Sequence, residues 1–282
     1  MGCIRIIQKS GKMDIYVGFD SAWTDSPKAP GAICAVGIED GQPAQFHAPQ
    51  LVSFDQALTF IRNVRSDTGT TLIALDQPTV VPNSTSMRPV ERVAASLISW
   101  LGGGVQPSNR GRLGMFCDAS PIWRFLTALE AVEDPEEARV AVNGFFLMEV
   151  FPALALASLS AGFFGRLNAP RYNPARRKTF RADDWIRVAE AAAQESHMLG
   201  CEELAEWCRD TGKVAPPRKA HQDKMDSALC VLVALRWRLR PRSESLLLGD
   251  LATGYMVLPA SAEVRERLTA PARKHLVPMD GV

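Results

Sequence analysis

The chain is predicted to fold as an α/β protein: a mixed five-strand sheet flanked by helices, with a helical insertion between the fourth and fifth strands. Three observations predict this. Three β-type runs joined by short links open the sequence. Two later runs, TTLIAL and FFLMEVF, have the unbroken hydrophobicity of strands covered on both faces. Apolar residues recur at helical spacing between and after them.

Residues 14–20 (DIYVGFD) form the first run, which ends on a carboxylate. Residues 31–38 (GAICAVGI) form the second, and the Asp-Gly of Glu39-Asp40-Gly41-Gln42 then carries turn chemistry. Residues 45–52 supply a third strand, which predicts an antiparallel meander. Phe54, Ala57, Leu58, Ile61 and Val64 are spaced as one helix face. Residues 70–75 run straight into Asp76. From 82 to 141 the pattern is mainly helical and rich in loops, and Pro89 and Pro121 each suit a first helical turn. After 145–151, helices are expected over 153–161, 183–196, 202–209 and 223–238. The last is apolar all round from 228 to 235, so it should lie deep in the core. No linker divides the chain. The reading is one domain over 13–260, with a loose leader at 1–12 and a tail at 261–282. Either Met1 or Met13 could be the start.

Composition narrows the function. Lysine plus arginine (32) against aspartate plus glutamate (31) leaves a net charge of +1, so any nucleic-acid contact must be a local basic patch. No apolar run is long enough to span a bilayer, and no membrane role is expected. None of the six cysteines forms a Cys-x-x-Cys pair, which argues against a zinc knuckle. Cys201 and Cys208 read as small core hydrophobes. Without a disulfide framework or secretory signal, the cytoplasm is the expected compartment. Walker, GxGxxG and GxSxG loops are all absent. Gly102-Gly103-Gly104 reads as a helix stop.

Four acids sit where acids are costly. Asp20 ends the first strand, Asp76 ends a wholly apolar one, Glu149 lies inside FFLMEVF, and Asp226 enters an apolar helix three residues after Asp223. A buried carboxylate must be paired, capped or metal-bound, or it shifts its pKa. Each has a plainer reading: Asp20 and Asp76 as turn caps, Glu149 as an edge-strand side chain in solvent, Asp223 as a helix N-cap, and Asp226 as a first-turn acid. Together they can converge beyond the carboxyl ends of the strands, where α/β sheets place ligands. Carboxylates are hard ligands that suit Mg²⁺ or Mn²⁺. Two such ions about 4 Å apart could cleave a phosphodiester. His221, near Asp223, reads as a polar helix-start residue or as an acid–base helper.

In order, GFDSAW, ALDQP, MRPVER, EVFPA, QDKMDSAL and GYMVLP resemble the domain-of-unknown-function family of predicted RNase H-like nucleases. The resemblance runs from Met13 to Pro259. It implies an RNase H-like sheet and a metal site built from Asp20, Asp76, Glu149 and Asp226. The family's late motif commonly carries two acids followed by a second pair; here Asp223 and Asp226 are kept and Gln222 departs from the pattern.

Substrate-binding candidates follow from charge. Arg88 and Arg92, i and i+4, could clamp a phosphate or pair with nearby acids. The stretch RYNPARRKTFR, with Arg176, Arg177 and Lys178 at its centre, could track a phosphate backbone or be a solvated loop. Trp23 could stack on a base or sugar, or pack. The leading expectation is a metal-dependent nuclease. A non-catalytic binding module is the alternative. A phosphotransferase of the sugar-kinase and actin branch is disfavoured, because Ser21-Ala22-Trp23-Thr24 lacks paired glycines.

Overall fold

The computed structural model describes residues 11–21 and 23–281. Most of the expected leader (1–10, with Cys3) lies outside the described residues. Strand β1 (Met13–Asp20) is the centre of a five-strand sheet ordered β3-β2-β1-β4-β5. Strands β2 (Gly31–Glu39) and β3 (Gln42–Val52) complete an antiparallel meander. The turn between them sets Asp40 and Gly41 at φ 48° and 82°, the left-handed pair that an Asp-Gly hairpin turn requires. Strands β4 (Thr70–Leu75) and β5 (Gly144–Glu149) run parallel to β1. The mixed sheet expected from the sequence is present.

Alternation along the strands divides the core in two. On one face Tyr16, Leu72 and Phe146 meet α8 (Lys219–Leu239), with α6 (Ala182–Met198) and α7 (Glu202–Gly212) behind it. On the other, Val17, Ile73 and Phe145 meet α1 (Phe54–Val64) and α3 (Pro121–Leu129). Helices α2 (Pro89–Leu101), α3 and α4 (Pro135–Val140) all lie between β4 and β5, and α5 (Pro152–Leu159) follows β5. Cys201 and Cys208 are buried and free. No helix of the described residues is long and apolar enough to cross a membrane.

The C-terminal region differs from expectation. Strands β6 (Ser245–Asp250) and β7 (Gly254–Pro259) form a separate hairpin, and α9 (Ala262–His275) occupies most of the stretch read as a tail. Val264, Leu268 and Ala272, at every fourth position, join a third core with Val90, Val93 and Leu97 of α2. The rest of α9 is largely polar, and it carries Pro271, a residue that disfavours a helix interior. Edges are managed as well. Edge strand β3 carries Pro43 and Pro49, while the free side of β5 is covered by bridges from Val132 and, just past its end, between Val150 and Val257.

Helix α8 lies almost on the backbone of β1. A Cβ on Gly18 would stand 2.1 Å from the Ser227 carbonyl oxygen and 2.5 Å from the Val231 nitrogen. Cys34 on β2 donates its thiol to the same carbonyl at 3.4 Å. Only glycine permits this approach, so Gly18→Ala should cost roughly 1–3 kcal/mol of stability through forced separation of helix and strand. Urea unfolding measures it; an unchanged midpoint would mean that the contact is not tight.

Candidate functional site

Asp20 and Asp76 leave the carboxyl ends of neighbouring parallel strands. Phe19 is in register with Leu75, and the Asp76 N–H donates to the Phe19 carbonyl at 2.8 Å. The residue after each acid reinforces the junction, Ser21 donating its hydroxyl to Gln77. By alternation both acids fall on the α8 face of the sheet: Asp20 follows Tyr16 and Gly18, and Asp76 follows Leu72 and Ala74. Helix α8 meets them with Asp223 and Asp226. Its N-cap is Arg218, so these two acids lie inside the helix and not at its start, and the N-cap reading of Asp223 fails. His221 accepts from the Arg218 N–H at that end, which fits a helix-start role.

The acids are crowded electrostatically. Burial raises the Asp20 carboxyl well above its ordinary value, and the charges of Asp226 and Asp76 raise it further. Burial, then Asp226 and Glu149, do the same to Asp76. Burial lifts Asp226 to about 6, against Lys219, the Tyr172 hydroxyl and Gln222. Tyr172 donates to Asp226 at 2.8 Å, Gln222 donates to its other oxygen, and Lys219 binds Asp223. Among the described residues, none donates a hydrogen bond to the Asp20 or Asp76 carboxylate. These two half-buried acids are the unanswered groups of the site. The charges sense one another, yet no three His, Cys, Asp or Glu side chains among the described residues converge closely enough to hold a metal ion as they stand.

Glu149 is placed apart from these. It is in register with Leu75, and it alternates with Phe145 and Leu147, which puts it on the opposite face from α8. There Arg88 grips it with two hydrogen bonds of 2.6 and 2.9 Å, and the Thr79 N–H adds a third. Arg88 is fully buried. Its remaining donors go to Glu91 and the Val80 carbonyl, so it does not face a phosphate site as proposed from the sequence. Burial pushes Glu149 up to about 7 against the pull of Arg88. Arg92, expected as its partner, is exposed on α2. Glu149→Gln should therefore destabilise the fold by about 3 kcal/mol, because it leaves a buried guanidinium short of charge. A loss below about 1 kcal/mol in denaturant unfolding, the scale of an exposed ion pair, would refute that.

Two cavities are lined by the acids. One of about 390 Å³ has Asp76 and Asp226 in its wall, together with Arg171, Tyr172 and Arg176. The other, about 470 Å³, has Asp20, Asp223, Lys219 and Trp23. Trp23 packs edge-on to Phe116 and donates to the Asp76 carbonyl at 3.1 Å, which ties the loops after β1 and β4 together. The basic stretch does border the site. Arg176, Arg177 and Lys178 are exposed, while Tyr172, noted from the sequence only as an interleaved aromatic, is buried with its hydroxyl on Asp226. Lys219 escaped notice in the sequence, and Gln222 was noted only as a departure from the family's late motif. Their spacing from the helix acids, four residues before Asp223 and four before Asp226, was the available signal. The chain matches no protein-family model, no curated protein and no solved structure.

Raised carboxyls mean that the folded state holds protons more tightly than the unfolded one. Stability then declines as pH rises from the ordinary value of 3.8 through, for Asp226, about 6. Asp20→Asn removes one repelling charge. Its stability relative to wild type, without metal, should grow across that window. A pH-independent difference in urea midpoints would show that the carboxylates do not interact.

Proposed function

We propose that this chain is a divalent-cation-dependent phosphodiesterase acting on nucleic acid, on an RNase H-like scaffold. The observation that carries this reading is the pair of unbonded carboxylates, Asp20 and Asp76, at the ends of adjacent parallel strands with Asp226 charged beside them. Buried acids held against mutual repulsion favour a cation. The order of the sheet, a meander feeding parallel strands, supports the RNase H-like reading. So do the helices lying between β4 and β5, which are the proposed insertion.

The donor set fits Mg²⁺ or Mn²⁺ in kind, since all its ligands are hard oxygens. Asp20, Asp76 and Asp226 would hold the ion, with Asp223 at the margin. Held there, such an ion would supply a nucleophilic water and neutralise charge on the phosphodiester. The chain's own groups do the rest. Tyr172 and Gln222 orient the Asp226 carboxylate. Lys219 offsets the acids' charge before a cation arrives. Glu149, turned away on Arg88, ties the end of β5 to the loop after β4 and is not in the proposed ligand set. A second reading, a binding module without catalysis, draws on one observation: both oxygens of Asp226 already have protein partners.

Mn²⁺ should raise the melting temperature of the wild type, because the ion binds only the assembled acids. Asp20→Asn should abolish the rise, and cleavage of nucleic acid should vanish with it. Melts in EDTA and in Mn²⁺, beside a nuclease assay, decide the matter. No Mn²⁺ shift in the wild type overturns the metal reading; a shift without cleavage favours the binding module.

A further inference from the structure

The cavity bearing Asp76 and Asp226 contains more than acids. Its floor is apolar, formed by Ile98, Phe151 and Leu156. Its rim carries Arg171 and Arg176, and no described residue accepts a hydrogen bond from either guanidinium. Gln222, itself buried (7% exposed), lines the cavity and has an Oε1 without a hydrogen-bond partner. The glycines at 102–104 form one lip, leaving backbone uncovered by side chains.

This combination has a chemical meaning. Acids on one wall and free guanidiniums on the rim suit a group that is anionic at one end and approached by a cation at the other, which describes a phosphodiester. An apolar floor with an aromatic ring suits the flat face of a base. The volume of about 390 Å³ falls within the range of small-molecule sites, ~300–1,000 Å³, and accommodates one nucleotide unit. A duplex stacks its bases inside and cannot present one to such a pocket without extruding it.

We propose that this cavity binds one unpaired nucleotide next to the acids, so that the chain acts on single-stranded or locally unpaired nucleic acid and not on intact duplex. The base lies against Phe151, and its phosphate is held by Arg171 and Arg176. The inference rests on the phosphodiesterase reading for its function. The pocket itself is tested separately.

The test is fluorescence anisotropy with short labelled single strands, ribo and deoxyribo, and with the matching duplexes, in EDTA and in Mn²⁺. The proteins are wild type, the double variant Arg171→Gln/Arg176→Gln, and Gly104→Trp. A Cβ at Gly104 meets nothing within 4 Å, so a side chain can leave the backbone there, and the indole is placed to occupy the lip. Single strands should bind the wild type about tenfold or more tighter than duplex, and each variant should lose about tenfold, the equivalent of one base or phosphate contact. The Mn²⁺ melting shift should survive in both variants. The ribo and deoxyribo arms report which sugar the pocket takes. Equal binding of duplex and single strand, or undiminished single-strand binding by Gly104→Trp, overturns the proposal even if the Mn²⁺ shift holds. Variant-sensitive single-strand binding without any Mn²⁺ shift upholds the pocket and removes only the metal reading.

Discussion

The site depends on the contact between α8 and β1 at Gly18. A helix cannot approach a strand so closely past a side chain, and the Ser227 carbonyl occupies the space a Cβ would take. That closeness brings the acids of α8 to the level of Asp20 and Asp76. The helix is buried almost all round beyond its first turn, so its position is held by apolar packing with little freedom to slide. The acids are thus carried on rigid elements, and their mutual repulsion is imposed by packing that stabilises the rest of the fold.

A second buried charge system works behind the first. Arg88 joins the loop after β4, the start of α2 and the end of β5 through Val80, Glu91 and Glu149. Glu91 in turn accepts the Ser108 N–H, which adds a further loop. The two systems sit on opposite faces of the same strand ends. The one with a buried guanidinium bonded to its acids is closed and satisfied, whereas the one in which Lys219 bonds Asp223 keeps open carboxylates at Asp20 and Asp76. Strand parity explains the division, since Glu149 follows Leu147 and Asp76 follows Ala74.

Much of this was legible in the sequence. The meander, the two parallel strands and the buried helix follow from runs of apolar residues, and Asp20 and Asp76 stood out because each ends such a run. Glu149 stood out for the same reason, but a count of residues along FFLMEVF does not say which face a neighbouring strand's acid shares. Its partner Arg88 stands 61 residues earlier in the chain, with three helices between them. The extent of α8 was underestimated, because its first turn is polar, which hid Lys219. Helix α9 was missed because its apolar residues are spread thinly and have meaning only against α2, while the hairpin β6-β7 was missed although each strand carries a short apolar run, at 246–248 and 255–258.

The free edge of the sheet has a consequence of its own. Pro43 and Pro49 remove two backbone donors from β3, and each lies at one of the two irregularities in its register with β2. A second strand laid along this edge would find an uneven surface on which to build a hydrogen-bond ladder. With β5 covered on the other side, the sheet resists growth at both ends. Strand addition to the five-strand sheet, the usual hazard of an exposed β edge, is thereby disfavoured.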